Sequence, residues 1–572
     1  MAGIYGIVSA NKPISKNQFQ HFHSYNSTNI INEEFETENL LFGRSVLNKF
    51  NNDRVLSDLV NYAIGIEGVL YNNKNGLSTE EFIIKAYKRD GISFLKKLKG
   101  QFSGFIFDKR LQKLFVFTDN VSSKAMYYHQ GRDGLFCFSS EAKLISSLLI
   151  ELKLSPTLNH DAYKSLLTFG YLLDDNTPIN EAKKLPYASF IELDIPSNKL
   201  TQERYFSYTL NTSSSKKSNL IEQVDSLICE AVTQEWEKDA EYNYPHFSFI
   251  SGGLDSRVNL MLADELGYKT DLGLTFSDPN STDHIIANKI AKDLGFKHSY
   301  VPLNGDYLLN DMYQNISAND GVATLIGASH AISSLEKFDL ANYGLAHSGQ
   351  IGDVLFGSYS NKPPISLSTI GSYGFVNNSE IIQSISFIDE LIKRYDFEQG
   401  AEMFSYEQRQ FNGTLNGDRM MTHLIDSASP FYDRELLQFC LNIPKELKKG
   451  QRIYLDWFNN KHPKIANFQW QKTGVKPSSF LKTEVAFFKK RVINKVYSKL
   501  GKQYDNMNPF IVWFKENPKL PAFYTKLFNR HIHLIEDNEL KAMTIKIFTQ
   551  GDPVSMMNAV SALLTANLFL KK

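Results

Sequence analysis

The chain has 572 residues, 42% of them hydrophobic and 22% charged, with 62 basic residues balanced by 62 acidic ones. That length exceeds one ordinary core and predicts two or more folded domains, while zero formal charge removes any global electrostatic case for a nucleic-acid partner. Three scattered cysteines, Cys137, Cys229 and Cys440, speak against a disulfide framework or a thiolate metal site; no signal-like start or uninterrupted membrane-length apolar stretch is read, so a cytoplasmic location without a membrane partner is expected.

The first part of the chain is rich in short apolar runs. Ile4 to Val8, Ala63 to Leu70, Gln101 to Phe107, Leu114 to Thr118 and Leu135 to Ser139 alternate partially between polar turns, which predicts strands. Such strands are buried by two packed sheets, with Thr79 to Arg89 a helix candidate between them. After Tyr171 a polar run and LPYASFIEL read as a loop feeding a strand. The tract NTSSSKKS at 211–218 reads as a linker, because its short polar side chains compete with regular structure, and it divides the chain into 1–210 and 211–572. Leu220, Val224, Leu227, Ile228 and Ala231 then recur at helical spacing.

Residues 247–260, FSFISGGLDSRVNL, carry the strongest chemistry. A short apolar run meets Ser251, Gly252 and Gly253 and then a helix with Leu254, Val258 and Met261 on one side. Glycines allow close backbone approach and a helix N-terminus offers N–H groups, so the expected guest is a phosphate chain. Asp255 would repel that guest unless a Mg²⁺ stood between them; as a bare motif, a tight turn with Asp255 capping the helix is the competing reading. Strand and helix patterns alternate downstream, with Thr270 to Phe276 and Phe296 to Val301 as strands and Asp283 to Leu294 as a helix, which favours a mainly parallel sheet.

SGGLDS, Ser251 to Ser256, resembles the pyrophosphate-binding loop of the ATP-pyrophosphatase superfamily. Its setting is similar to the asparagine synthetase-like amide-forming enzymes, with beta-lactam synthetases and lasso peptide cyclases as relatives. The resemblance implies an α+β N-terminal sandwich of Ntn-hydrolase type followed by an α/β adenine-nucleotide alpha-hydrolase-like synthetase domain, with ATP and Mg²⁺ as cofactors. Ser251, Gly252, Gly253, Leu254, Asp255 and Ser256 become nucleotide contacts by this likeness, as does Gly349. For Ser277, a nucleotide contact and a helix or turn cap both stay open. HSGQIGDVLFGSY, His347 to Tyr359, resembles the stretch whose aspartate shares the magnesium, which pairs Asp353 with Asp255. In FQWQKTGVKPSS, Lys472 falls on the lysine that supports adenylate formation, with Lys476 as the alternative cation.

The acceptor side departs from the relatives. Gln350 stands where they carry an acidic residue or a tyrosine, and Val354 replaces an acidic neighbour. His347 is a candidate base or a structural group. Residues 395–417 show no clear periodicity, and DRMMTHLIDSASPFYDRELLQFCLNIP reads as two helical segments in which Asp426 is the acceptor-contact candidate and Asp433 a helix cap. The tail from Leu481 reads as helix-rich, with Lys489, Lys490 and Arg491 on a solvated face and an amphipathic segment around Met556 to Phe569.

The first half resembles a class II glutamine amidotransferase domain through MAGIYGIV, LKGQFSGFIFD at 98–108 and FCFSSEAKLI at 136–145. In that family a cysteine follows the initiator Met, whereas Ala2 stands here and has no thiol to form a thioester. Arg44 falls on the arginine that holds the substrate carboxylate, but Glu67-Gly68-Val69 replaces Asn-Gly-Glu. These departures imply an inactive glutaminase domain and a ligase fed by ammonia or a substrate amine. The expected reaction joins that nitrogen to a small-molecule or peptide carboxylate, with AMP and pyrophosphate as products; a homodimer is allowed. Intramolecular amide closure and a noncatalytic nucleotide-binding scaffold are the alternatives.

Overall fold

Apolar runs between polar turns in the first half pair as two six-stranded antiparallel sheets. One runs, in spatial order, Lys183–Lys184, Tyr127–Gln130, Leu135–Ser139, Gly3–Ser9, Leu40–Leu47 and Ile30–Glu36. The other runs Lys199–Arg204, Ser189–Asp194, Lys113–Thr118, Gly100–Asp108, Tyr62–Leu70 and Val55–Asp58. The computed structural model describes residues 3–9, 29–37, 39–73, 76–132, 134–327, 329–477, 480–499 and 505–570; Ala2 lies outside them. Ile4, Val8, Phe42 and Phe138 from the first sheet meet Ala63, Phe105, Phe107 and Val116 from the second in one core, where Phe42 stacks on Phe105 at 4.6 Å. Alternate residues of each strand are thereby removed from water on one face.

The second half is built on a five-stranded sheet in the order Lys297–Pro302, Thr270–Ser277, His246–Phe249, Ala346–His347 and Ser427–Ala428, with every pairing parallel. Strands later in the chain lie on both sides of His246–Phe249, so the order reverses there, and the crevice beyond the carboxyl ends of the strands is the natural ligand position. The molecule thus joins a sheet-rich N-terminal domain to a C-terminal α/β domain.

Two expectations for the later chain are corrected. Residues 419–441 hold two short 3-10 turns, Arg419–Met421 and Pro430–Tyr432, and one α-helix, Arg434–Leu441, rather than two helices. Pro553–Leu570 is not amphipathic: Met556 to Ala566 are all buried, so apolar residues all round the helix are hidden in the core. By length and composition this helix could cross a membrane, so a membrane-length stretch does exist, but 78% of it is buried within the protein.

The two halves are locked by buried charge. Arg54 and Lys124 of the sandwich both bond to Asp426, beside the end of the parallel sheet. Lys49 donates to the carbonyls of Leu340 and Tyr343 at 2.7 and 2.6 Å, and Lys238 meets Asp53 at 3.1 Å. Burial alone would raise the Asp426 carboxyl, but Lys124 and Arg54 hold it well below the usual carboxylate range. Removing one member of such a buried group strands the others, which costs about 3–5 kcal/mol. Asp426→Asn should therefore lower unfolding free energy by about that much in denaturant titration, while Asp433→Asn, at a helix cap, should cost about 1 kcal/mol or less.

Candidate active site

Phe249 ends its strand and the chain turns through Ser251 to Leu254 into the helix Asp255–Glu265. The turn is cross-braced: Ser251 N–H donates to Ser256 Oγ at 3.2 Å and Gly253 N–H to Ser251 Oγ at 3.1 Å. Gly252 N–H is taken by Asp283 Oδ1 at 2.9 Å, and a Cβ there would lie 2.7 Å from Gln471 Cβ. Gly252 is therefore a packing glycine, and its amide is already used.

A second turn packs onto that helix start. A Cβ on Gly349 would lie 2.2 Å from Ser256 N, and one on Gly352 would lie 2.8 Å from Asp255 Cγ, so only hydrogen fits at both positions. Ile351 between them is left-handed at φ 60°. Asn259 Nδ2 donates to the Ser348 carbonyl at 2.8 Å, fixing the approach. Asp353 follows, its Oδ2 accepting from Ser358 Oγ at 2.6 Å.

Both turns border a cavity of about 400 Å³ lined by Ser251, Gly253, Asp255, Ser256, Gly349 and Asp353, together with Gln350, His330 and Asp418. Asp255 Oδ1 is sequestered and makes no well-formed hydrogen bond among the described residues, with the Tyr454 hydroxyl and the Asp353 backbone beside the carboxyl. Burial and then repulsion from Asp353 push the Asp255 carboxyl up to about 8. An orphaned carboxylate oxygen beside a second carboxylate suits a hard divalent cation, so the residues present fit Mg²⁺.

Other groups predicted to take part are placed differently. Leu254 is core, and Ser277 is fully buried with an unpartnered Oγ among the described residues; neither lines the cavity. Asp426 is absent from the lining and is consumed by its ion pairs with Arg54 and Lys124. Lys472 is exposed on a turn closed by Trp470 N–H to the Val475 carbonyl at 2.9 Å, and its charge reaches Asp255. That turn is tied to the Ser251–Leu254 turn by Gln471 N–H to the Gly252 carbonyl at 2.9 Å. Buried Arg257 reinforces the tie, donating to the carbonyls of Gly252 and Gln469 at 3.2 and 2.6 Å.

Asp418 and His330 are the additions that sequence reasoning missed. Asp418 accepts from Gln350 Nε2 at 2.9 Å and Tyr432 OH at 3.0 Å, and burial pushes its carboxyl up to about 7. Burial pushes the His330 imidazole down to about 4, so it is neutral. His347, by contrast, is no base: it is wholly buried between Glu235 at 2.6 Å and Asp239 at 2.9 Å and stacks on Trp236 at 4.0 Å.

Residues 69–206 match the family described as glutamine amidotransferase domain, and residues 223–455 match asparagine synthase. The chain joins a glutamine amidotransferase-like domain to an asparagine synthase-like domain. It is 28% identical over 210 residues to a putative glutamine-hydrolyzing asparagine synthetase of Methanocaldococcus jannaschii, covering 35% of this chain and 39% of that protein. With glutamine-hydrolyzing asparagine synthetase 2 of Bacillus subtilis the identity is 24%, over 64% of this chain and 54% of that one. The matched region thus spans about half or less of these relatives. Among solved structures, the glutamine phosphoribosylpyrophosphate amidotransferase of Bacillus subtilis, complexed with ADP and GMP, aligns at 9% identity and TM-score 0.21, over 69% of this chain and 82% of that one, too low a score to carry an argument.

In the amidotransferase-like domain, Ala2, Arg44 and Glu67 precede the matched residues. Arg44 is spent internally, with Glu33 at 2.8 Å and the Arg54 carbonyl as its partners. Glu67 Oε2 accepts from Ser140 Oγ at 2.7 Å, and a Cβ on Gly3 would lie only 2.0 Å from that oxygen. A carboxylate therefore crowds the start of the first strand.

The buried His347 gives a pH signature. Burial opposes its charge, but Asp239 and Glu235 override that and raise it from 6.5 to about 9. Its contribution to stability is complete below 6.5 and is lost as pH rises through about 9. The melting temperature of the wild type should fall over that alkaline window, and His347→Gln should melt lower and lose most of that slope.

Proposed function

We propose that the protein is an ATP-dependent amide ligase that activates a substrate carboxylate as an acyl-adenylate, without glutaminase activity. The observation that carries this reading is the pairing of Asp255 and Asp353 on one cavity beside the Ser251–Ser256 turn, with Asp255 Oδ1 making no well-formed hydrogen bond among the described residues. The matches to asparagine synthase and glutamine amidotransferase families support it. On this reading the sandwich is of Ntn-hydrolase type and the parallel-sheet domain is adenine-nucleotide alpha-hydrolase-like.

Asp255 and Asp353 would hold Mg²⁺, which when bound supplies positive charge against the triphosphate. The Ser251 and Ser256 hydroxyls and the start of helix Asp255–Glu265 face the same anion. A substrate carboxylate oxygen attacks the α-phosphorus, the bond to the β-phosphate oxygen breaks, and pyrophosphate departs. The nitrogen of ammonia or a substrate amine then forms the amide bond as the acyl–oxygen bond to AMP breaks. Asp418, held near neutrality by burial and oriented by Gln350, accepts the proton lost from nitrogen. Lys472, whose charge reaches Asp255, offsets charge developing at the α-phosphate.

Asp255→Asn and Asp353→Asn should abolish Mg²⁺-dependent ATP binding in calorimetry. Lys472→Ala should lower pyrophosphate release about 100- to 1,000-fold, the usual loss of about 2.7–4 kcal/mol for one transition-state contact, with an unchanged melting temperature because the side chain is exposed. Labelled ATP, ammonia and pooled metabolites should give AMP, pyrophosphate and a new amide, read by mass spectrometry. Formation of ADP, or glutamate released from glutamine, would overturn the proposal; a water-loss product without added nitrogen would mark intramolecular closure.

A further inference from the structure

Helix Phe480–Lys499 is mounted on the protein by its less apolar side. Thr483 and Ala486 are buried, and Lys490 reaches the Gln471 carbonyl and the Asp505 carboxylate. Phe487 beside them meets Trp470 edge-on at 5.2 Å. Two positions beyond Thr483, Ala486 and Lys490, about 200° round a helix, stand Val485, Phe488 and Val492. These three side chains are 57%, 69% and 49% exposed, and Val496, continuing the stripe, is 52% exposed. The apolar stripe therefore faces away from the body. Exposed Lys482 and Lys489 border one edge of it, and exposed Arg491 and Lys495 border the other. Glu484 is the acidic residue of this helix. A solvated basic face, which the sequence suggests, would not carry such a stripe, and a core helix would hide it.

We infer that helix Phe480–Lys499 docks on an anionic lipid surface, lying in its plane with Val485, Phe488, Val492 and Val496 against the acyl chains. Lys489, Arg491 and Lys495 extend their aliphatic stems outward and place their charges at lipid phosphates. The charge pattern selects this occupant. A second copy would bring cations to both borders of the shared seam, where like charges repel, whereas an anionic plane satisfies both borders at once. Lys490 and Gln471 link the helix to the Gly252 carbonyl, so docking sets the nucleotide cavity beside the surface.

Flotation of the full-length protein with vesicles of phosphatidylcholine, alone or mixed with phosphatidylglycerol, reads the proposal directly. The wild type should float with the anionic vesicles, lose that binding as salt rises, and remain unbound to phosphatidylcholine alone. Val485→Ser, Phe488→Ser and Val492→Ser together should lower the anionic partition about tenfold or more, with melting temperature unchanged because all three are exposed. Lys489→Gln, Arg491→Gln and Lys495→Gln together should lower it comparably and remove its salt dependence. Failure of the wild type to float with anionic vesicles, or equal flotation by the triple serine variant, would overturn the inference. A dimer in sedimentation velocity that the serine variant abolishes would do so as well.

Discussion

Repulsion between two carboxylates sets the terms for the asparagine synthase-like domain. Asp255 and Asp353 face one cavity, and burial plus their mutual repulsion hold the Asp255 carboxyl up near 8. Left to itself, such a pair would move apart or protonate. The surrounding structure prevents separation: Gly349 and Gly352 remove the side chains that would keep the second turn at a distance, and Asn259 fastens that turn to the helix carrying Asp255. Arg257 then ties the chain entering the Lys472 turn to the Ser251–Leu254 turn. The result is a preorganised pair of carboxyl groups that costs stability and suits a hard divalent cation.

Much of this arrangement was legible in the amino-acid order because the parallel strands and the Ser251–Ser256 turn are short, local and apolar or glycine-bearing. Helix Asp283–Leu294 has the predicted bounds, and strand Thr270–Ser277 extends the predicted one by a residue. The edge strand Ile30–Glu36 was not legible, since Asn32, Glu33 and Glu34 at a sheet edge give no alternating apolar signal. The patternless stretch before residue 418 proves to be a π-helix over Ser405–Thr414, whose wider turn does not repeat every 3.6 residues. It delivers Asp418 to the cavity, and no local motif announces that residue. Asp426 attracted attention as the acid nearest the expected motif, but its partners Arg54 and Lys124 lie more than 300 residues away and no spacing rule reaches them.

In the amidotransferase-like domain, charged side chains find their partners within the fold. Arg44 is held by Glu33 and a backbone carbonyl, and Glu67 projects onto the start of the first strand. Charges suited to a ligand are here satisfied by the fold itself. The domain's buried cations Arg54 and Lys124 pair with Asp426 and so tie it to the α/β domain.

Helix Pro553–Leu570 has a bearing on how the chain is made. Its Phe569 carbonyl accepts from Ser146 at 2.8 Å and its Asn558 donates to Leu166 at 3.1 Å, contacts that span 423 and 392 residues. At about 5–20 residues per second, translation leaves helices Ala142–Glu151 and His160–Phe169 without this partner for roughly 20–80 s. During that interval Leu148, Leu149, Leu166 and Leu167 present an uncovered apolar surface on the emerging chain. The core shared by these two helices is therefore completed only once Pro553–Leu570 has been made, whereas the core between the two N-terminal sheets needs nothing from it.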